Sequence, residues 1–304
     1  MMLIAKRVGY LVPAADFEGT VHSTFARACN IACGATLLTV AADELADGPT
    51  TIKLAPGAVP DLRGLFRTGE RLRCRNRIAS AANVELSFAG AVIWRPAPPL
   101  PAGSKWLGSN LGRLKAKLRF AGAAVKHRRL THSSVLDREA APVLRALADA
   151  TRSLDAGKAT AVLDRLVGWG EGLTPAGDDF IVGWYASLEV LADNRDDRFR
   201  FLRALSGAIV QRTSRTTPIA AHCLRLAAHG HFNDDIVRLR NAFLGPGDCA
   251  AFEAALHRAL DAGATSGADM VTGIIAGIDA WSGADLWSDR HALPRCAECE
   301  AVPQ

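Results

Sequence analysis

The chain has 304 residues, 49% of them hydrophobic and 22% charged, with a formal net charge of +5. That balance is ordinary for a globular protein, and no segment approaches the roughly 20 uninterrupted apolar residues of a membrane-spanning helix, so a soluble, cytoplasmic protein with no membrane partner is expected. The seven cysteines are odd in number and scattered, which argues for a reducing compartment and against a disulfide framework.

The N-terminal run "MMLIAKRVGYLVPAADFEG" is broken by Lys6 and Arg7 and lacks the long apolar stretch of a secretion signal, so it belongs to the fold. From Tyr10 to Trp94, short apolar runs such as "ATLLTVA", "TTIKL" and "NVELSFAGAVIW" alternate with turn clusters such as "DGP" and "TGE", which predicts strands. One segment, "VHSTFARACNIAC", departs from this, because Phe25, Ala28 and Cys29 share a face at helical spacing; a short helix is expected there. Four prolines, Pro96, Pro98, Pro99 and Pro101, then make a stiff connector.

Beyond Gly108 the apolar residues recur with helical period almost to the end, in segments such as "REAAPVLRALADATRSL", "DDFIVGWYASLEVLA" and "ADMVTGIIAGIDAW". The expected fold class is therefore α+β: a β-rich N-terminal domain over residues 1–106 and an all-helical domain over 107–304. Between Arg113 and Arg129 seven Lys and Arg residues occur without an acid. Leu107, Leu111, Leu114 and Leu118 run through this stretch at helical spacing, so a solvated basic face is expected, and no nucleic-acid partner. Near the C-terminus Cys296 and Cys299 form a lone C-x-x-C with no second ligand pair, a tail and not a metal site.

Three helix starts resemble one another. Thr174-Pro175 and Thr217-Pro218 each offer a hydroxyl cap followed by proline, and Ser266 precedes Asp269 in the manner of a capping box. The first start lies behind "GWGEGLTPAGDD", where Gly168, Gly170 and Gly172 free the backbone to turn several amides toward one point. Free amides at a helix N-terminus suit a phosphate or carboxylate. The loop is neither a P-loop, lacking G-K-[ST], nor a dinucleotide fingerprint.

Gly177-x-Asp179-x-x-x-Gly183 and Gly267-x-Asp269-x-x-x-Gly273 repeat one pattern that sets an aspartate above a glycine notch. Two such helices would bring Asp178, Asp179 and Asp269 together, where they would repel unless they shared a proton or Mg²⁺. First-turn aspartates also stabilise helices without any ligand, and notches also serve packing. Arg212, Arg215, Thr216 and Thr217 stand either as an anion clamp or as a solvated loop. His22, Ser23 and Asn30 cluster tightly, as a polar site or as a helix with a capping serine. Linear order displays no Ser-His-Asp or Cys-His arrangement, so covalent catalysis is not expected.

Taken together, "GWGEGLTPAGDDFIVGW", "VHSTFARACNI", "GPTTIKL", "RTTPIA" and "GATSGADMVTGI" resemble the AllH family of oxamate carbamoyltransferase subunits over nearly the whole chain. One departure is Pro218-Ile219-Ala220 after the Thr-Thr pair, where the family commonly has Ile-Ser. The resemblance implies a cytoplasmic subunit of a purine or related nitrogen catabolic enzyme, working beside an FdrA-like subunit and moving a carbamoyl group between phosphate and an amide such as oxamate. The candidate contacts for a small anionic substrate are then Gly168, Gly170, Gly172, Thr174, Gly177, Arg215, Thr216, Thr217, Ser266 and Gly267, with His22, Ser23 and Asn30 as further candidates. Asp178, Asp179 and Asp269 would hold Mg²⁺ or the acceptor amide. A metal-dependent helical hydrolase resembling ADP-ribosylglycohydrolases and a non-catalytic scaffold are the other readings.

Overall fold

The computed structural model describes residues 1–58, 61–100, 104–132, 134–136, 140–246 and 248–284, with residues 104–106 by backbone only. Cys296 and Cys299 lie outside these. The chain forms two compact units, residues 1–97 with 232–234, and residues 98–231 with 235–304. The fold is α+β, with strands in the first unit and helices in the second.

In the first unit nine strands run β1 (Met2–Gly9), β2 (Phe17–Thr24), β3 (Ala28–Cys33), β4 (Thr36–Ala41), β5 (Thr51–Leu54), β6 (Arg71–Arg75), β7 (Ile78–Ser80), β8 (Glu85–Ser87) and β9 (Val92–Trp94). They pair in the order β5-β4-β3-β2-β6-β7-β8-β1-β9, and a further β1–β5 pairing closes eight of them into a ring. Closure removes exposed edges. Apolar residues alternate as the pleat requires: Leu3 and Ala5 on β1 and Leu72 and Cys74 on β6 point into one core with Ile31, Val40, Ile52 and Leu86. Asn76 and Arg77, with φ of 50° and 63°, make the two-residue turn between β6 and β7.

The helix expected over "VHSTFARACNIAC" is instead the β2–β3 hairpin, paired Thr20↔Ala32, Val21↔Ile31, Ser23↔Asn30 and Thr24↔Cys29. Phe25, Ala28 and Cys29 do satisfy a helical face locally. Strand pairing wins because it sends Val21, Cys29 and Ile31 into the barrel core together, each no more than 1% exposed.

The second unit contains, among the described residues, α1 (Ser104–Thr131), α2 (Ala141–Arg152), α3 (Ala156–Leu166), α4 (Ala176–Leu191), α5 (Asp196–Arg212), α6 (Pro218–Ala228), α7 (Asp234–Leu244), α8 (Cys249–Leu260) and α9 (Ser266–Ser282). No described helix is long and apolar enough to cross a membrane. Side-chain caps begin several of them: Asp155 accepts from Lys158 N at 2.9 Å and Asp248 from Ala251 N at 2.7 Å. On α1, Leu114, Leu118, Ala121 and Val125 are buried at helical spacing, but the basic face is not wholly solvated as expected. Lys117 is buried and donates to the carbonyls of Ala242 at 2.6 Å and Gly245 at 3.1 Å, and Arg129 turns inward.

Helices α4 and α9 form the centre of this unit and are buried on nearly every side. Two glycines permit their approach reciprocally. A Cβ on Gly183 would overlap the Met270 carbonyl, and one on Gly273 would overlap that of Phe180. The repeated Gly-x-Asp-x-x-x-Gly pattern is thus the crossing point of two helices. Because each aspartate sits four residues ahead of its crossing glycine, the crossing sets Asp179 and Asp269 at the same end of the pair.

Candidate functional site

Helix α4 begins at Ala176 with Pro175 as its cap, and the Pro175 carbonyl accepts from the amides of Asp178 at 2.9 Å and Asp179 at 3.2 Å. Ahead of it Gly168, Gly170 and Gly172 take φ of 76°, 117° and 92°, values side chains strain to adopt. Space reinforces the requirement at two of them: a Cβ would lie 2.5 Å from the Arg215 carbonyl at Gly168 and 2.8 Å from Ala176 N at Gly170.

The ends of this loop are bonded and its middle is not. Gly168 N donates to Asp178 Oδ1 at 3.0 Å, Trp169 N to the Leu166 carbonyl at 3.0 Å, and Gly177 N to the Trp169 carbonyl at 2.8 Å. No backbone carbonyl among the described residues takes the amides of Gly170, Glu171, Gly172, Leu173 or Thr174. Glu171, Gly172 and Leu173 are exposed. The loop is therefore a bridge anchored at both ends whose central amides have no backbone partner among the described residues.

The three aspartates have different surroundings. Asp178 is 1% exposed and ties the loop to the fold, accepting from Gly168 N through one oxygen and from the Thr216 hydroxyl through the other; burial raises its pKa, and these two bonds oppose the rise. Asp269 is fully buried and accepts from Arg129 Nη2 at 3.1 Å, while the same guanidinium nitrogen donates to Thr272 Oγ1 at 3.0 Å. Asp179 has no such cation, and its Oδ2 is shut from solvent with no hydrogen-bond partner among the described residues. Burial pushes its carboxyl up to about 8; the hydroxyls of Ser266 and Thr174 oppose this, and the charges of Asp269 and Asp178 add to it. At neutral pH Asp179 consequently holds its proton, a neutral acid behind a row of free amides. Cys223 of α6 is close enough for Asp179 and Asp178 to add to the burial that pushes its thiol up to about 12.

Several expectations about this region change. Thr174 does not cap α4; its Oγ1 shares a 2.8 Å hydrogen bond with Ser266 Oγ, joining the starts of α4 and α9. Nor does Ser266 cap α9: it is the first helical residue, Thr265 precedes it without a side-chain bond, and Asp269 faces Arg129 in place of a capping box. A tertiary partner that neutralises a buried charge outweighs a local cap. Gly177 and Gly267 serve close packing, since a Cβ would overlap the carbonyls of Leu166 and Ala259 respectively. Among the described residues no group of three or more His, Cys, Asp or Glu side chains converges as a metal site.

The Arg215 guanidinium is held by Asp164, donating to Oδ1 at 2.7 Å and to the carbonyl at 2.6 Å, and Arg212 grips the same carboxylate at 2.9 Å through Nε and Nη2. Thr217 caps α6, accepting from Ala220 N at 3.1 Å, and its hydroxyl donates to the Leu173 carbonyl at the end of the glycine loop. Thr217→Ala should lower stability by about 1–2 kcal/mol in urea unfolding, since it removes a cap and leaves a loop carbonyl without its donor. His22, Ser23 and Asn30 belong to the first unit and bond to one another there. Neither Arg129 nor Thr272 is marked by the sequence: one lies in a basic stretch expected to face water, the other six residues after the expected cap Ser266.

Two family models match the chain. One, described as oxamate carbamoyltransferase subunit AllH, matches residues 166–278, and the other, the AllH family N-terminal domain, matches residues 3–93. The first spans the glycine loop and all three aspartates, and the second covers nearly the whole strand-bearing unit. No curated protein and no solved structure matches significantly.

Proposed function

We propose, from the premise that this chain belongs to the AllH family of oxamate carbamoyltransferase subunits, that it binds the anionic oxygens of the transferred carbamoyl group's partner at the glycine loop. The reaction would move a carbamoyl group between phosphate and an amide acceptor such as oxamate, in a complex with an FdrA-like subunit. One observation carries this reading: among the described residues, the amides of residues 170–174 have no backbone partner directly ahead of α4. Amides at a helix N-terminus stabilise phosphate or carboxylate oxygens through hydrogen bonds and the helix dipole.

Asp179 would supply the proton. When the C–O bond of carbamoyl phosphate breaks, the leaving phosphate oxygen gains charge, and a neutral acid beside the loop can donate to it. Its pKa of about 8 keeps that proton available at neutral pH. Asp269, itself held by Arg129, adds to the rise in the proton affinity of Asp179. Asp178 and Thr216 fix the loop. Cys29, Cys33, Cys74, Cys223 and Cys249 are free thiols, which suits the cytoplasm.

The test is calorimetric titration of the full chain with phosphate, carbamoyl phosphate and oxamate, beside the Gly172→Ala variant. Gly172 has a φ of 92° and nothing within 4 Å of a Cβ, so alanine reshapes the loop without a clash. Carbamoyl phosphate should bind the wild type and raise its stability by about 2.7 kcal/mol at one hundred times the dissociation constant. Gly172→Ala should bind at least tenfold more weakly. Equal affinity in both proteins would remove the loop from the site.

A further inference from the structure

The strand-bearing unit holds a second group of reactive side chains, assembled by register. Strand pairing sets Ser23 opposite Asn30, Asn30 opposite Thr39, and Thr39 opposite Thr51. These four residues come from separate stretches of sequence and form one row across β2, β3, β4 and β5. Hydrogen bonds run along it: Asn30 Nδ2 donates to Ser23 Oγ at 3.1 Å, and Thr39 Oγ1 donates to Asn30 Oδ1 at 2.8 Å. Asn30 is 7% exposed and so holds a fixed orientation, whereas Ser23 and His22 are half-buried and reachable.

Adjacent residues of a regular strand point to opposite faces, which would part His22 from Ser23. The β2–β3 register shifts between Val21 and Ser23, leaving His22 as the extra residue of a bulge. Bulges re-aim side chains in this way. The result is a 3.1 Å contact between His22 Nδ1 and Ser23 Oγ. With the ring hydrogen on Nε2, Nδ1 accepts the serine proton while Asn30 occupies a lone pair of the same oxygen and directs the other. A hydroxyl bonded to a basic ring nitrogen, with a fixed third group orienting it, is the constellation of an activated nucleophile.

We propose that Ser23 is a nucleophile with His22 as its base, and that it accepts a carbamoyl group from an activated donor. The choice of carbamoyl rests on the transferase reading above; the nucleophile itself does not. Ser23 Oγ forms a bond to the carbamoyl carbon, the bond from that carbon to the leaving oxygen breaks with its electron pair on that oxygen, and the serine proton passes to His22 Nδ1. An incoming acceptor then bonds to the same carbon, and Ser23 Oγ departs with its electron pair and regains the proton from His22. The acceptor's own proton passes to the vacated Nδ1 and from there to solvent. Covalent participation, not expected from linear order, thus becomes available through a bulge that brings two sequence neighbours onto one side of a strand.

The experiment treats the full chain with 4-nitrophenyl carbamate and follows nitrophenolate release, with peptide mass spectrometry to locate the carbamoyl group. A stoichiometric burst with the group on Ser23 is expected. Ser23→Ala should abolish it, and His22→Gln, which keeps the serine and a polar side chain, should slow it about 100-fold, the scale of a lost general base. Melting curves of both variants establish that the barrel is intact. No burst in the wild type, an unchanged burst in Ser23→Ala, an unslowed one in His22→Gln, or carbamoyl found elsewhere would overturn the proposal. Ser23 labelling in a wild-type chain that fails to bind carbamoyl phosphate would sink the anion site alone.

Discussion

Gly183→Ala should leave the helical unit severely destabilised, by about 3 kcal/mol or more in urea unfolding. The added methyl would occupy the position of the Met270 carbonyl, with Met270 C at 2.9 Å and Ile274 N at 3.1 Å. These neighbours are backbone atoms of α9, which have no rotamer to change, so the helices must separate. Gly273 mirrors this at Phe180, and a Cβ on Gly277 would lie 2.7 Å from the Trp184 carbonyl, so the interface has little room to slide. Overpacking a close-packed interior costs typically 1–3 kcal/mol, more when it moves backbone. Gly207→Ala on the exposed face of α5 is the control: nothing lies within 4 Å of its Cβ. It should be neutral or stabilise by about 0.5–1 kcal/mol. Equal effects of the two substitutions would mean that the α4–α9 crossing is not what requires glycine.

Asp179→Asn should stabilise the protein at alkaline pH and impair the transferase complex. The native carboxyl holds its proton up to about 8, whereas an unfolded aspartate releases it near 3.9. The folded state therefore binds the extra proton between those values, and stability falls as pH rises from about 4 to about 8. Asparagine keeps a neutral side chain of the same shape and lacks that loss. At pH 8 the variant should exceed the wild type by several kcal/mol, on the order of 5 for the full linkage of about four pKa units, and the two should converge near pH 4. In the complex the variant lacks the proton donor, so turnover should fall about 100-fold, and the wild type's alkaline limb near pH 8 should disappear. A stability difference independent of pH would contradict a protonated Asp179; unchanged turnover would remove it from the chemistry.

The strand region was legible because its pattern is local: apolar positions two apart, turn residues between them, and closure that buries one face. "VHSTFARACNIAC" was misread for the complementary reason. Its residues satisfy a helical face over one turn, and the pairing partners that decide otherwise lie on β4 and β6. The aspartates of the helix starts were visible as a repeat, and the glycines four residues after Asp179 and Asp269 pointed to a close approach. The capping roles given to Thr174 and Ser266 were not sound, since each hydroxyl instead found the other across 92 positions of sequence.

From the sequence alone came the α+β division, the positive-φ demand of the glycine loop and the Thr217-Pro218 helix start, each set by interactions within a few residues. Tertiary structure alone decided the rest. Arg129 reaches Asp269 from 140 residues away, while burial, with the charges of Asp269 and Asp178, pushes the neighbouring Asp179 carboxyl up to about 8. Proton affinity depends on burial and on charges that only packing brings near. The Ser23 row depends likewise on register, in which one extra residue reverses the face to which a side chain points.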